Sequence, residues 1–399
     1  NNLDLDKYIK KIININQKYN DISELSPSEE GDYWDLHSAK FLLSVGTSKL
    51  LNYPIRNFVI EINKEDKIYS LNSGKAIFPG NTNIEFNGSF KNKFSIFEGS
   101  GTLTSDNIRD FSKWLSIDLD NMSQARLRKT SLNSNIVFRK GGATFAGIKG
   151  KLDSSNINGE IILRFEDINS LHANLSIDKI NLDSYINNNS KDNRSININE
   201  FKFFHFDVLN TDLKIGQLLF FKNKYNNVSF NNFYKNNILT IDKLYISEFA
   251  GGNLNLNGVI NYKKKYPEYD LVININHSDF SKFNDFFKIP NVFKELITGE
   301  GTLKINAEGK SNSFNSNILF ESTNARINYD GDIKLNNFYI KDYEGDISLS
   351  VDNLNSIIDL GSDGATIYTS KVLKNNNILK LKDITIDNLN YTYTGDIEL

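Results

Sequence analysis

Gly251-Gly252-Asn253-Leu254-Asn255-Leu256-Asn257-Gly258 alternates polar with apolar side chains between glycines. A period of two places Leu254 and Leu256 on one face of an extended chain and the asparagines on the other, the pattern of a strand with one wet face. The same rhythm runs through Asn158-Gly159-Glu160-Ile161-Ile162-Leu163, Leu303-Lys304-Ile305-Asn306-Ala307 and Ile347-Ser348-Leu349-Ser350-Val351, and the intervening segments are rich in Gly, Asn and Asp. It predicts a mainly β chain: an elongated, repeated, antiparallel sheet, with a few short helices at residues 6–13, 107–115, 278–289 and 291–297. Asp279 is placed to cap the third of these, and Pro290 to end it.

Short segments also recur in the same order. Leu5-Asp6-Lys7-Tyr8-Ile9 returns as Leu182-Asp183-Ser184-Tyr185-Ile186, and Asp110-Phe111-Ser112-Lys113 returns unchanged as Asp279-Phe280-Ser281-Lys282. Asn236-Asn237-Ile238-Leu239 returns as Asn376-Asn377-Ile378-Leu379. Such repetition points to stacked structural units. The expected organisation is an end of a preceding repeat and linker at 1–33, a first β unit at 34–190 and a second at 191–399. The second is divisible near 299, and an Asn/Ser/Asp linker spans 187–195. A start at Asn1 and a strand-like ending at Leu399 lead to the expectation of a piece of a longer protein.

Composition narrows the chemistry. The 399 residues are 39% hydrophobic and 24% charged, with a net charge of −3. That balance suits a folded chain and lacks the basic surface that a general grip on nucleic acid requires, so no nucleic-acid partner is expected. The absence of cysteine removes disulfides, thiolate metal sites and cysteine nucleophiles. His37, His172, His205 and His277 are too scattered for a local zinc motif. No run approaches the eighteen or so apolar residues of a membrane helix. The abundance of asparagine fits the coding bias of an A- and T-rich genome.

Catalytic patterns fail individually. Ala307-Glu308-Gly309-Lys310-Ser311 has the tail of a phosphate loop, but Lys304 stands where its first glycine belongs. Residues 141–150 are glycine-rich yet alternate like a hairpin. The pairs Asp4/Asp6, Asp118/Asp120 and Asp330/Asp332 read as caps or turn formers at element ends. Lys263-Lys264-Lys265 reads as a solvated hairpin tip. No catalytic residue, metal site or cofactor is expected. Arg126, Arg128 and Lys129, with Arg139 and Lys140 nearby, stand out because arginine is scarce, and are candidates for contact with anionic lipid head groups or an acidic partner.

Residues 147–186, with glycine-spaced strands and the ending Leu182-Asp183-Ser184-Tyr185, resemble the AsmA family of AsmA- and TamB-like envelope proteins of Gram-negative bacteria. Residues 212–215 with 238–260, and residues 299–309, are similar to its strand, glycine pair, strand pattern and to the entry of its C-terminal module. The resemblance implies a long curled sheet with an apolar groove. It also implies a non-enzymatic role in outer-membrane biogenesis, with phospholipid bound or conducted between inner and outer membranes, and location in the periplasm with attachment to the inner membrane by a segment outside this chain. Expected partners are phospholipids, components of both membranes and outer-membrane assembly proteins.

Candidates for the groove are Ile161, Leu163, Leu254, Leu256, Ile273, Ile275, Leu303, Ile305, Ile347, Leu349 and Val351. Alternation alone leaves open whether they face lipid or one another, since closed sandwiches share the rhythm. A scaffold or chaperone for outer-membrane protein assembly, pairing client strands at its sheet edges, is the second reading. A surface adhesin or carbohydrate-acting protein is a third.

Overall fold

The computed structural model describes residues 3–4, 38–66, 68–92, 94–115, 117, 119, 122–165, 167–185, 206–220, 222–264, 266–282, 298–323, 325–336, 339–351, 366–375, 378–388 and 391–398. The expected helices at 6–13 and 291–297, the linker at 187–195, and the residues Asp6, Asp118, Asp120, His37 and His205 lie outside these. Two compact units divide the chain, Asn1–Asn188 and Asn189–Leu399.

The first unit contains β1 (Leu3–Asp4), β2 (Ser38–Leu50), β3 (Tyr53–Glu65), β4 (Ile68–Phe78), β5 (Thr82–Lys91) and β6 (Ile96–Ser105). After the helix α1 (Ile108–Trp114) come β7 (Thr130–Arg139), β8 (Gly142–Leu152), β9 (Ser155–Phe165) and β10 (Asn169–Asn181). From β2 to β10 each strand pairs antiparallel with the next in sequence, and the two residues of β1 lie parallel to β2.

The second unit begins with β11 (Val208–Phe220), β12 (Asn223–Lys235), β13 (Ile238–Phe249), β14 (Gly252–Asn261), β15 (Glu268–His277) and β16 (Gly301–Lys310). It continues with β17 (Ser313–Ser322), β18 (Ala325–Asn336), β19 (Tyr339–Val351), β20 (Thr366–Asn375), β21 (Ile378–Asn388) and β22 (Tyr391–Glu398). All are antiparallel to their sequence neighbours. Among the described residues no ladder joins the first strand of either unit to its last, so each meander is an open sheet.

The turns show what the asparagines do. Asn236 and Asn237, between β12 and β13, have φ of 52° and 59°, and Leu51 and Asn52, between β2 and β3, have 50° and 64°. Two successive left-handed residues match the right-handed twist of the flanking strands, and asparagine tolerates that conformation better than other side chains with a Cβ. The glycine-rich stretch at 141–150 is indeed the β7–β8 hairpin, with a ladder irregularity opposite Gly147, whose φ is 61°.

The recurring Asp-Phe-Ser-Lys segment plays a comparable part in each unit. Its first copy lies in α1, where Phe111 and Trp114 pack on Phe78 with ring centroids 5.7 and 4.9 Å away. The Trp114 indole donates to the carbonyl of Leu50 at 3.1 Å. Its second copy forms a 3-10 turn, Phe280–Lys282, where Phe280 is 1% exposed between Phe320 and His277. The helix expected over 278–289 is, in its described part, this single turn. Each copy follows a strand, β6 or β15, and seats an aromatic plug against the sheet's apolar side chains.

The pair Asp330/Asp332 is not at an element end. Both residues lie inside β18, opposite Asp346 and Glu344 of β19. The apolar rhythm runs through Ile327, Tyr329 and Ile333, so the strand continues and its acids fall on the alternate, wet face.

Candidate functional site: an apolar sheet face

Cross-strand register decides what the alternating side chains build, because residues directly opposite one another share a face. In the second unit one row runs Ile215, Val228, Ile246, Leu254, Ile275 and Leu303, then Phe320, Ile327 and Leu349. It crosses the nine strands from β11 to β19 without a polar interruption. A second row, two residues along, runs Leu213, Phe230, Leu244, Leu256, Ile273, Ile305, Ile318, Tyr329 and Ile347. The intervening positions form a mainly polar face, for example Asn255, Asn274, Lys304, Asn328 and Ser348, with Val259, Val272 and Leu319 as apolar exceptions.

The structure therefore brings Leu254, Ile275, Leu303 and Leu349 into one row, and Leu256, Ile273, Ile305 and Ile347 into the next. Val351 stands opposite Ala325 and Thr366, two residues beyond Leu349. Leu254 and Ile275 are buried, at 9% and 3% exposure. Leu256, Ile273, Leu303, Ile305, Ile347 and Leu349 are only half-buried. A sealed sandwich core would hide such side chains far more completely. One buried cluster, Tyr329, Ile333 and Val372 with Ile318, Tyr343 and Ile347, forms between neighbouring strands of this same sheet.

Glycines smooth part of the face. Gly331 and Gly345 stand directly opposite each other, and the Tyr329 hydroxyl lies 2.9 Å from where a Cβ on Gly331 would sit. That hydroxyl donates to the carbonyls of Asp332 and Glu344 at 2.9 and 3.1 Å. Burial, with the nearby Asp332 carboxylate, pushes the phenol up to about 12.

The first unit repeats the plan with more aromatics. One row contains Phe41, Ile62, Leu71, Gly88, Gly99, Ile136, Phe145, Ile161 and Ala173, and the next contains Tyr69, Phe90, Phe97, Phe138, Ala143, Leu163 and Leu171. Ile161 and Leu163 thus lie in adjacent rows and are half-buried. Phe97 is centred 5.2 Å from Phe90 and 6.1 Å from both Phe86 and Phe138, while Phe94 is 5.0 Å from Phe90. These rings line a cleft of about 390 Å³, which Ser95, Arg139 and Lys140 complete. The spacing of Phe86 and Phe90 and the reflection of Phe90 onto Phe97 across the intervening turn carry this cluster in the sequence. It was not among the expected groove residues.

The three expected head-group cations sit elsewhere. Arg126 lies with its guanidinium 5.8 Å from the Tyr185 ring centre, and Arg128 donates from Nε to the Gln124 carbonyl at 3.0 Å. Asp153 ties this loop down, accepting from the backbone NH groups of Leu127 and Arg128 at 2.9 Å each and from the Tyr185 hydroxyl at 3.1 Å. Burial, followed by the Asp153 carboxylate, pushes the Tyr185 phenol up to about 12 against the pull of Arg126. The Leu182-Asp183-Ser184-Tyr185 ending is thus a 3-10 turn, Leu182–Ser184, whose tyrosine anchors a loop. Lys129 borders a polar cleft of about 710 Å³ with Lys75, Lys151, Glu85, Asp106 and Asp153.

Beneath the same loop, Arg109 is 2% exposed and its guanidinium donates to the carbonyls of Leu119, Met122 and Ser123 at 2.7, 3.4 and 3.1 Å. Among the described residues, no group of three or more His, Asp or Glu side chains is placed to hold a metal ion, and no helix is long and apolar enough to cross a membrane. No protein-family profile, curated protein or solved structure matches the chain.

Proposed function

We propose that this chain is a non-enzymatic, periplasmic segment of an AsmA-like envelope protein. Its apolar sheet faces hold phospholipid acyl chains and guide them between the inner and outer membranes. The observation that carries the reading is the row from Ile215 to Leu349, apolar on each of the nine strands it crosses. Moving a sixteen-carbon tail through water costs on the order of 12 kcal/mol at about 0.8 kcal/mol per methylene, and a continuous apolar surface removes that cost along its length. The half-buried state of Leu256, Ile273 and Ile305 supports a face that can still accept carbon. The polar alternate positions suit contact with water.

The test is to purify the chain and identify co-purifying phospholipid by mass spectrometry, in parallel with Leu256→Asp and Ile305→Asp. Phospholipid with the parent chain and a clear loss in variants of unchanged circular dichroism is the expected result. No lipid with the parent, or equal lipid in the folded variants, refutes the reading, and crosslinking of client strands along the sheet edges instead favours a scaffold for outer-membrane protein assembly.

A further inference from the structure

We propose that the aromatic cleft of the first unit seats the acyl chain of an anionic lipid, with Arg139 and Lys140 holding the negative charge of its head group. The inference rests on the lipid-binding reading for what the apolar wall receives, and it adds the charge that this ligand carries.

Three observations converge. The wall is aromatic and open: Phe94 is 50% exposed and Phe138 42%, an unusual cost for two phenylalanines facing one cleft. Its volume of about 390 Å³ lies within the range of ligand-sized sites, about 300–1,000 Å³. Both charged residues of the lining are cations, placed at the β7–β8 turn, and neither forms an ion pair with the described residues. Glu98, on the strand that carries Phe97, is already paired with Lys91.

The polar cleft provides the contrast. There Lys75, Lys129 and Lys151 share the lining with Glu85, Asp106 and Asp153, so the charges offset one another. Of these two clefts, the aromatic one combines an apolar wall with lining cations that have no ion-pair partner among the described residues. An amphiphile with one hydrocarbon chain and one anionic end matches it: the chain covers the exposed rings, and the anion receives charge-assisted hydrogen bonds from the guanidinium and ammonium groups. A lipid with a choline head group presents a second, cationic end to the same two residues and loses that advantage.

The test is calorimetric titration of the whole chain with 1-palmitoyl-lysophosphatidylglycerol and with 1-palmitoyl-lysophosphatidylcholine, each below its micelle concentration, and with inorganic phosphate alone. The anionic lipid is expected to bind about fivefold more tightly than the choline lipid, the scale of two solvent-accessible charge pairs. Arg139→Gln with Lys140→Gln should erase this preference and leave the choline lipid unchanged, whereas Phe94→Ser should weaken both lipids alike. Equal affinities in the parent chain, a preference that survives the double substitution, or phosphate binding as tightly as the lipid overturns the proposal. Failure of the wider reading looks different. Absence of co-purified phospholipid with the charge preference intact removes the conduit and keeps the cleft, while phospholipid that depends on Leu256 with no charge preference removes the cleft alone.

Discussion

Gly88 and Gly99 stand directly opposite each other on β5 and β6, and a Cβ on Gly88 would come within 2.3 Å of the Glu98 carbonyl oxygen, one on Gly99 within 2.0 Å of that of Asn87. The two backbones approach more closely than any side chain allows, in the middle of an apolar row. Gly99→Ala therefore forces the strands apart and should lower stability by about 1–3 kcal/mol in urea unfolding. Gly46, in β2, has nothing within 4 Å of its position for a Cβ, so Gly46→Ala should be neutral or slightly stabilising. Equal effects of the two substitutions would show that this close approach has no energetic weight.

Arg109 holds three carbonyls of the loop that follows α1. Arg109→Met keeps much of the stem's bulk and removes every donor, at an expected cost of about 2–3 kcal/mol. The loosened loop contains Arg126 and Arg128, so tryptic cleavage after either residue should accelerate in the variant. A cleavage rate equal to the parent's would contradict this anchoring role.

The repeated Asp-Phe-Ser-Lys segments should differ in energetic weight. Phe280 is 1% exposed, so Phe280→Ala should cost about 3–5 kcal/mol. Phe111 is half-buried beside Phe78 and Trp114, and Phe111→Ala should cost less, about 1–3 kcal/mol. Thermal unfolding of the two variants compares them directly, and a larger loss at Phe111 would reverse the assignment of the dominant plug.

Stability should fall as the solution is made alkaline between about pH 10 and pH 12. Burial raises the phenols of Tyr185, Tyr262 and Tyr329 to about 12, whereas an unfolded tyrosine ionises near 10. Above pH 10 the unfolded chain loses these protons first, so proton release favours unfolding until the folded groups also ionise. Absorbance at 295 nm should show a late-titrating group among the 18 tyrosines, and Tyr329→Phe should flatten the alkaline decline in denaturant midpoint. Uniform titration near pH 10 would contradict the shifts.

The alternation at Leu254, Leu256, Ile273 and Ile275 was sufficient to assign strands and their apolar side, because a period of two is a local property. The joining of those residues into rows was not legible, since register depends on turn geometry: the left-handed Asn236-Asn237 pair and the ladder irregularities beside Asn231 and Gly147 set it residue by residue. Asp330 and Asp332 misled for a related reason. Aspartate favours turns, but here the neighbouring apolar positions kept the chain extended. Arg126 stood out by its rarity, yet its place over Tyr185 arises from a contact between distant segments. The phenylalanine cleft is assembled by three strands and the turn holding Phe94, so only the Phe90–Phe97 reflection was visible in the linear order.

From β2 to β10 and from β11 to β22, every strand takes its ladder partners from its immediate predecessor and successor. Such a fabric can change size only two strands at a time. Removing a hairpin moves the sheet by about 9.6 Å and leaves the direction of later strands intact, whereas losing one strand would reverse all that follow. Evolution can thus tailor the span like knitting, by whole stitches, with newly made cloth always hanging from the row just finished.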